Sequence, residues 1–227
     1  MADLSKRKRA RMMANLTRIS ESTVHRLSKY YRTLKYVQAK GVKTISSDEL
    51  AQHNGITAAQ VRKDLFCFGA FGRRGLGYNV LDLKKNISQI MGLGKKWKVC
   101  LIGVGNIGRA LLDYDQFVAQ GFEFVCAFDA DKAKIGREFH GVTVSDVVDL
   151  EDAIKKHRVE IAVISVPAEF AQAVADRLVE VGIRAILNFA PVNISVPPEV
   201  SVRHDNMVIE IEALAFALTN PEWADKD

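Results

Sequence analysis

Only three cysteines occur in this chain, Cys67, Cys100 and Cys126, with no C-x-x-C and no histidine at ligand spacing. Their scarcity excludes a disulfide-stapled scaffold and a cysteine-based zinc site, and it favours a reducing compartment. No apolar run approaches the roughly 20 residues that a helix needs to span a bilayer. The basic N-terminus also lacks the apolar stretch of a standard signal peptide. The expectation is a cytoplasmic protein with no bound metal and no membrane partner. Catalytic equipment is equally sparse: His140, His157 and His204 form no motif with a carboxylate and are expected at the surface.

What is present is an uneven distribution of charge. Residues 1–98 hold 21 of the 32 basic side chains but only 6 of the 27 acidic ones. The remainder is therefore acidic, and two domains with opposite electrostatic tasks explain this better than one. A basic half suits a polyanion. With 48% hydrophobic residues in 227, a packed core is expected in either case.

The acidic half is organised around Lys98 to Arg109, K-V-C-L-I-G-V-G-N-I-G-R. Val99 to Ile102 form an apolar run without alternation, the pattern of a parallel strand buried on both faces. Gly103, Gly105 and Gly108 then give G-x-G-x-x-G, with Val104, Asn106 and Ile107 between them, and Arg109 to Val118 reads as a helix. The first glycine allows a tight turn, the second lets a pyrophosphate approach the backbone, and the third lets helix and strand pack closely. The diphosphate would meet free N–H groups at the helix start. About twenty residues on, a second apolar strand, Glu123 to Phe128, ends in Asp129, an acid placed to accept ribose hydroxyls. No arginine follows at once, and Asp131 adds a second negative charge, which favours NAD(H) over NADP(H). A structural glycine turn with a structural aspartate would share the pattern but not so readily the order of its parts.

In the basic half, Lys6 to Arg11 is a charge run expected to form a disordered tail with phosphate affinity. Ser20 to Ala39 has helical periodicity with Val24, Leu27, Tyr31, Leu34 and Val37 on one face. Ser46-Ser47-Asp48-Glu49 opens a short helix, Asn54-Gly55 breaks it, and Thr57 caps a third helix, Ala58 to Phe68, that carries Gln60, Arg62 and Lys63. This is a helix-turn-helix layout with the last helix as reader, although an ordinary three-helix bundle would share it. Phe71 to Val80 pairs Arg73 and Arg74 with three glycines, including Gly75, and ends in Tyr78-Asn79-Val80. A β-hairpin wing reads this way, with arginines for a minor groove. The candidate DNA contacts are Ser47, Thr57, Gln60, Arg62, Lys63, Arg73, Arg74, Gly75 and Tyr78. Leu81 to Leu93 reads as a linking helix.

Beyond Asp129, strands at Val142–Val144, Ile161–Val166, Ala185–Asn188 and Val200–Arg203 alternate with helices at Leu150–His157 and Glu169–Val181. Alternation demands a parallel, doubly wound sheet. The strand ends Ser165-Val166-Pro167 and Asn188-Phe189-Ala190-Pro191 fall at its carboxyl edge, where a nicotinamide would rest. The prolines serve equally to end strands. Met207 to Leu218 is apolar nearly all round and must be buried on more than one side, which favours a second subunit. A dehydrogenase would need a substrate region after the last strand, and the chain offers only this helix and a short tail there.

Taken in order, the recognition helix, the wing and the dinucleotide turn resemble the Rex family of bacterial redox-sensing transcriptional repressors. The resemblance covers residues 20–223. It rests on Val61-Arg62-Lys63-Asp64-Leu65, Arg74 to Tyr78, Gly103 to Gly108, Asn188 to Pro191 and Asn220-Pro221-Glu222-Trp223. It implies a homodimer with swapped C-terminal helices that binds an A·T-rich inverted repeat in promoters and is released by NADH, a regulatory ligand that is not turned over. It also implies that Arg62 and Lys63 meet the major groove and phosphates, and Arg74 the minor groove. Gly103 to Arg109 and Asp129 would hold the ADP-ribose part, with Tyr114 near the nicotinamide. The expected organisation is a basic tail over 1–19 and a winged-helix domain over 20–82. A linker helix and hinge over 83–97 lead to a Rossmann domain over 98–205 and a swapped helix and tail over 206–227. One departure stands out. Family members commonly carry an aspartate just before the last helix, paired in the released state with an arginine that matches Arg32. Here that position is Asn206, with Asp205 one residue earlier, and an amide cannot supply the charge-assisted bond of a carboxylate. Either Asp205 serves, or the latch is weaker, or a different ligand acts.

Overall fold

The computed structural model describes residues 19–68 and 76–224. The charge run Lys6–Arg11 and the candidates Arg73, Arg74 and Gly75 lie outside the described residues. The chain divides into two compact units, Met1–Lys95 and Lys96–Asp227.

In the first unit, α1 (Glu21–Ala39) starts where the Ser20 hydroxyl accepts from the Thr23 N–H. The buried face is Thr23, Leu27, Tyr30, Leu34 and Val37. It differs from the predicted face at two positions: Val24 is exposed, and Tyr31 packs only at the core's edge while Tyr30 goes inside, its hydroxyl donating to a carboxylate there. A short strand β1 (Thr44–Ile45) leads to α2 (Ser47–Asn54). There Ser46 and Glu49 form a capping box, so Ser46 is the cap and Ser47 the first helical residue. Thr57 caps α3 (Ala58–Phe66), which ends two residues before the predicted Phe68. β2 (Tyr78–Asn79) pairs antiparallel with β1, Ile45 opposite Tyr78. Gly77 has φ +72°, and a Cβ there would stand 2.7 Å from the Ile45 carbonyl oxygen, so only glycine lets the two segments cross. Asn79 caps α4 (Val80–Ile90), the helix expected to link the two halves, which buries Val80, Leu83 and Ile87 beside Leu27, Leu34, Leu50 and Leu65. Each such side chain contributes roughly 1.5–3 kcal/mol on burial.

The second unit carries seven strands: β3 (Trp97–Ile102), β4 (Phe122–Asp129), β5 (Glu138–Phe139), β6 (Val142–Asp146), β7 (Ile161–Ile164), β8 (Ala185–Asn188) and β9 (Ser201–His204). Their order in the sheet is β5-β6-β4-β3-β7-β8-β9, parallel throughout except for β5. β3 is central, and the chain winds out from it in both directions, as the doubly wound reading requires. Alternate residues of β3 feed two cores: Cys100 and Ile102 pack on one face, Val99 and Leu101 on the other. Both faces are covered, hence the unbroken apolar run.

The helices are α5 (Asn106–Leu112), α6 (Gln116–Ala119), α7 (Leu150–His157), α8 (Ala168–Glu180), α9 (Met207–Thr219) and α10 (Pro221–Ala224), with a 3₁₀ turn at Val147–Asp149. The single helix predicted over Arg109–Val118 is therefore two, interrupted at Asp113–Asp115, where aspartates are poor helix formers. α9 is exposed along its length within its own chain, Leu214 at 66% and Leu218 at 85%.

Candidate functional site

The glycine turn shows three different reasons for glycine. Gly103 has φ +94°, and a Cβ there would meet the Ser165 carbonyl oxygen at 2.6 Å. Gly108 lies against the Gly103 carbonyl oxygen, which a Cβ would strike. Ser165 locks the pair, its hydroxyl donating to Gly103 O at 2.7 Å. Gly105 differs: nothing stands within 4 Å of its would-be Cβ. It opens α5 with ordinary negative φ, so its bareness faces outward. Behind it the first N–H groups of α5 lack intrahelical partners. The turn is closed on the protein side and open on the other, which fits a diphosphate lying over Gly105.

Asp129 ends β4, paired beyond the glycine turn. Its Oδ2 accepts from the Val104 N–H at 2.8 Å and from Lys134 Nζ at 2.9 Å, and its Oδ1 accepts from the Asp131 N–H at 2.9 Å. Burial pushes this carboxyl up, but Lys134 and the two N–H groups outweigh burial and hold it below the usual carboxylate range. A carboxylate offers about four lone-pair directions, so one, on Oδ1, is left for a further donor. Lys134 was not foreseen, because its bond to Asp129 spans five residues that form no motif.

Above this edge lies a cavity of about 910 Å³. Gly103, Gly105, Asn106, Ile107, Asp129, Ser165, Val166, Pro167, Phe189 and Pro191 line it. Other candidates stand elsewhere. Val104 and Arg109 line a smaller neighbouring cavity with Lys134 and Arg137. Gly108 and Ala190 are buried. Asn188 is buried and braces the strand end: its Oδ1 accepts from the Ala190 N–H, and its Nδ2 reaches the Val192 carbonyl and His204 Nδ1. Tyr114 is exposed, edge-on to Phe117, and is not among the lining residues. The apolar wall of Val147, Phe170, Ala173 and Val174, and Arg177 beside it, were missed. Helix-face residues such as these carry no motif.

In the first unit, α3 turns one face inward and another out. Val61, Asp64 and Leu65 are buried, whereas Thr57, Arg62, Lys63 and Phe66 are exposed. Arg62 Nη1 donates to Ser47 Oγ at 2.9 Å and ties α3 to α2. Asp64 accepts from Arg26 Nε at 2.6 Å and Nη2 at 2.8 Å, from the Tyr30 hydroxyl at 2.7 Å and from Gln60 Nε2 at 2.7 Å. Burial raises its carboxyl, yet Arg26, Tyr30 and Gln60 outweigh that and hold it below the usual range. Gln60, a candidate DNA contact, thus spends its amide on this buried brace. Tyr78 lies half-buried on β2, its hydroxyl pushed up by burial. Arg32 is exposed on α1. At the other end of the chain Asn206 caps α9, its Oδ1 accepting from the Val208 N–H at 3.1 Å, and Asp205 is exposed.

Two family models match: one described as a CoA binding domain, over residues 94–192, and one described as "Putative DNA-binding protein N-terminus", over residues 18–65. The chain is 48% identical over 199 residues to the redox-sensing transcriptional repressor Rex of Desulfitobacterium hafniense, covering 88% of this chain and 95% of that protein. It is 45% identical to redox-sensing transcriptional repressor Rex 1 of Thermotoga maritima, over 88% of this chain and 96% of that one. Among solved structures it superposes on RSP in complex with β-NAD⁺ and operator DNA, with a TM-score of 0.86 and 37% identity, covering 92% of this chain and 96% of the other.

Proposed function

The chain belongs to the Rex family of redox-sensing transcriptional repressors, and from that premise we propose how its own residues carry the activity. It is a DNA-binding repressor that senses the NADH/NAD⁺ balance and releases its promoter operator when NADH binds. The dinucleotide is a regulatory ligand and is not turned over. Its ADP-ribose part lies over Gly105 and against Asp129, with the nicotinamide towards Ser165–Pro167 and Phe189–Pro191. The observation that carries this is the bond from the Val104 N–H to Asp129 Oδ2, which joins the glycine turn and the ribose acid into one edge of the large cavity. NAD(H) is favoured over its 2′-phosphorylated form, because Lys134, the cation bonded to the ribose acid, is already held by Asp129 and lies 3.9 Å from Asp131.

On the DNA side, Thr57, Arg62 and Lys63 on the outer face of α3 would enter the major groove of an A·T-rich inverted repeat. Ser47 and Tyr78 would flank it, and Arg73, Arg74 and Gly75 would serve the minor groove. Two copies joined through α9 would supply the two half-sites, since an apolar helix exposed in its own chain finds burial in a partner. NADH need only bind the DNA-incompetent dimer better than the competent one, and about 2–3 kcal/mol of such preference changes operator affinity roughly a hundredfold. A second reading, a repressor with a weakened response, rests on Asn206 in place of a carboxylate. Fluorescence anisotropy of a labelled A·T-rich inverted repeat, at fixed salt with NADH, NAD⁺ or neither, separates the two. Release by NADH alone supports the sensor, binding indifferent to both nucleotides supports the second reading, and absence of specific binding overturns both.

A further inference from the structure

The large cavity has an end that neither the glycine turn nor the proline-bearing strand ends account for. Val147, from the 3₁₀ turn after β6, forms one wall, and Phe170, Ala173 and Val174 of α8 form the other. Arg177, one turn further along α8, joins them. Its Nε donates to Glu151 Oε1 at 2.6 Å and its Nη2 to Glu151 Oε2 at 2.8 Å, a forked pair with the first turn of α7. The same Nη2 donates to the Val147 carbonyl at 2.7 Å. One guanidinium therefore ties the α8 wall to the 3₁₀ turn and to α7, and it fixes the separation of the two apolar faces. A planar fork held at three points resists rotation in a way that a single contact does not.

An apolar slot next to the ribose acid, on the side away from the nicotinamide edge, suits a flat, uncharged ring attached to that ribose. We propose that Arg177 and Glu151 are positioning residues for the adenine base, setting the width of the slot that Val147 and Val174 offer to its two faces. This rests on the dinucleotide reading above. Both partners are about one-third exposed, 35% each, so a base seated in the slot covers a pair that water otherwise screens. Base binding and the clamp then reinforce each other.

The test compares wild type with Arg177→Met, Glu151→Gln and the double variant, using NADH, ADP-ribose and reduced nicotinamide mononucleotide as probes. Methionine keeps the apolar stem of Arg177 and removes all three bonds. The expected result is that NADH and ADP-ribose bind about tenfold more weakly to each single variant, the size of one lost charge-assisted arrangement. The mononucleotide, which lacks adenine, keeps its wild-type affinity by displacement titration, and the double variant is no worse than either single one. Equal affinities for wild type and variants overturn the proposal alone. Parallel loss for all three probes signals general damage and overturns it as well. A wild type that binds neither NADH nor ADP-ribose overturns the dinucleotide reading together with it.

Discussion

Replacing Asp64 with alanine probes the joint that holds the reading helix. The side chain is buried and takes four hydrogen bonds of 2.6–2.8 Å, two from Arg26 and one each from Tyr30 and Gln60. Removing the carboxylate strands a guanidinium and a phenol inside the first unit. Breaking a buried pair by deleting one partner costs about 3–5 kcal/mol. The Arg26 side chain is 21% exposed and regains some water, so the low end, about 3 kcal/mol, applies. For a unit of this size that is a fall of roughly 10–20 °C in its midpoint. Scanning calorimetry and urea unfolding would read it. Operator affinity should fall with it, because α3 loses its tether to α1, while NADH binding to the second unit should not change. The apolar double variant Arg26→Met/Asp64→Leu should recover part of the stability, since it removes the unpaired charge but leaves the Tyr30 hydroxyl without its acceptor. A single-variant loss below about 1 kcal/mol, or a double variant less stable than Asp64→Ala, would refute the reasoning. The brace also has a pH signature. Asp64 is held below its ordinary value, so its stabilisation is full above about pH 4 and fades as pH falls through the lower folded value. The Tyr30 hydroxyl is pushed up by burial and by Asp64, so its contribution is full below about pH 10 and is lost at more alkaline pH.

The glycine turn separates fold from binding. Gly105→Ala, with open space at its Cβ, should leave the thermal midpoint nearly unchanged and weaken NADH, whereas Gly108→Ala, which drives a Cβ into the Gly103 carbonyl, should lower the midpoint itself. Thermal denaturation and fluorescence titration distinguish them, and equal effects of the two substitutions would contradict the assignment. Asn206→Asp keeps the cap of α9 and adds a carboxylate, so NADH should release operator at lower concentration; an unchanged release curve would remove this position from the switch. Leu214→Glu places a charge on the exposed apolar face of α9 and should shift light scattering from dimer to monomer with loss of operator binding.

The strands and the glycine turn were legible because each follows from a local rule. A buried parallel strand needs an unbroken apolar run, and Val99–Ile102 and Ile161–Ile164 have one. The capped helix starts within Ser46–Glu49 and at Thr57 were legible for the same reason. What escaped was set by distant partners. Tyr30 takes the fully buried place, with Tyr31 only at the edge of the core, because Asp64, far along the chain, accepts the Tyr30 hydroxyl. Gln60 turned inward for the same carboxylate. Lys134 and the Arg177–Glu151 clamp belong to the cavity through contacts that no short motif encodes. β5 is two residues long, too short to show a period. Tyr114, carried over by resemblance, stands away from the cavity within this chain.

With α9, exposed along its own chain, as the proposed seam between two copies, the last step of folding becomes second order and the folded fraction should rise with protein concentration. The same proposed seam sets how copies of this protein would behave in mixtures. Where α9 is sound, a damaged copy still pairs with an intact one, and a pair with one reading helix cannot grip both halves of a repeat. Lesions in the first unit should therefore act as dominant alleles. Lesions in α9 keep to themselves and should be recessive.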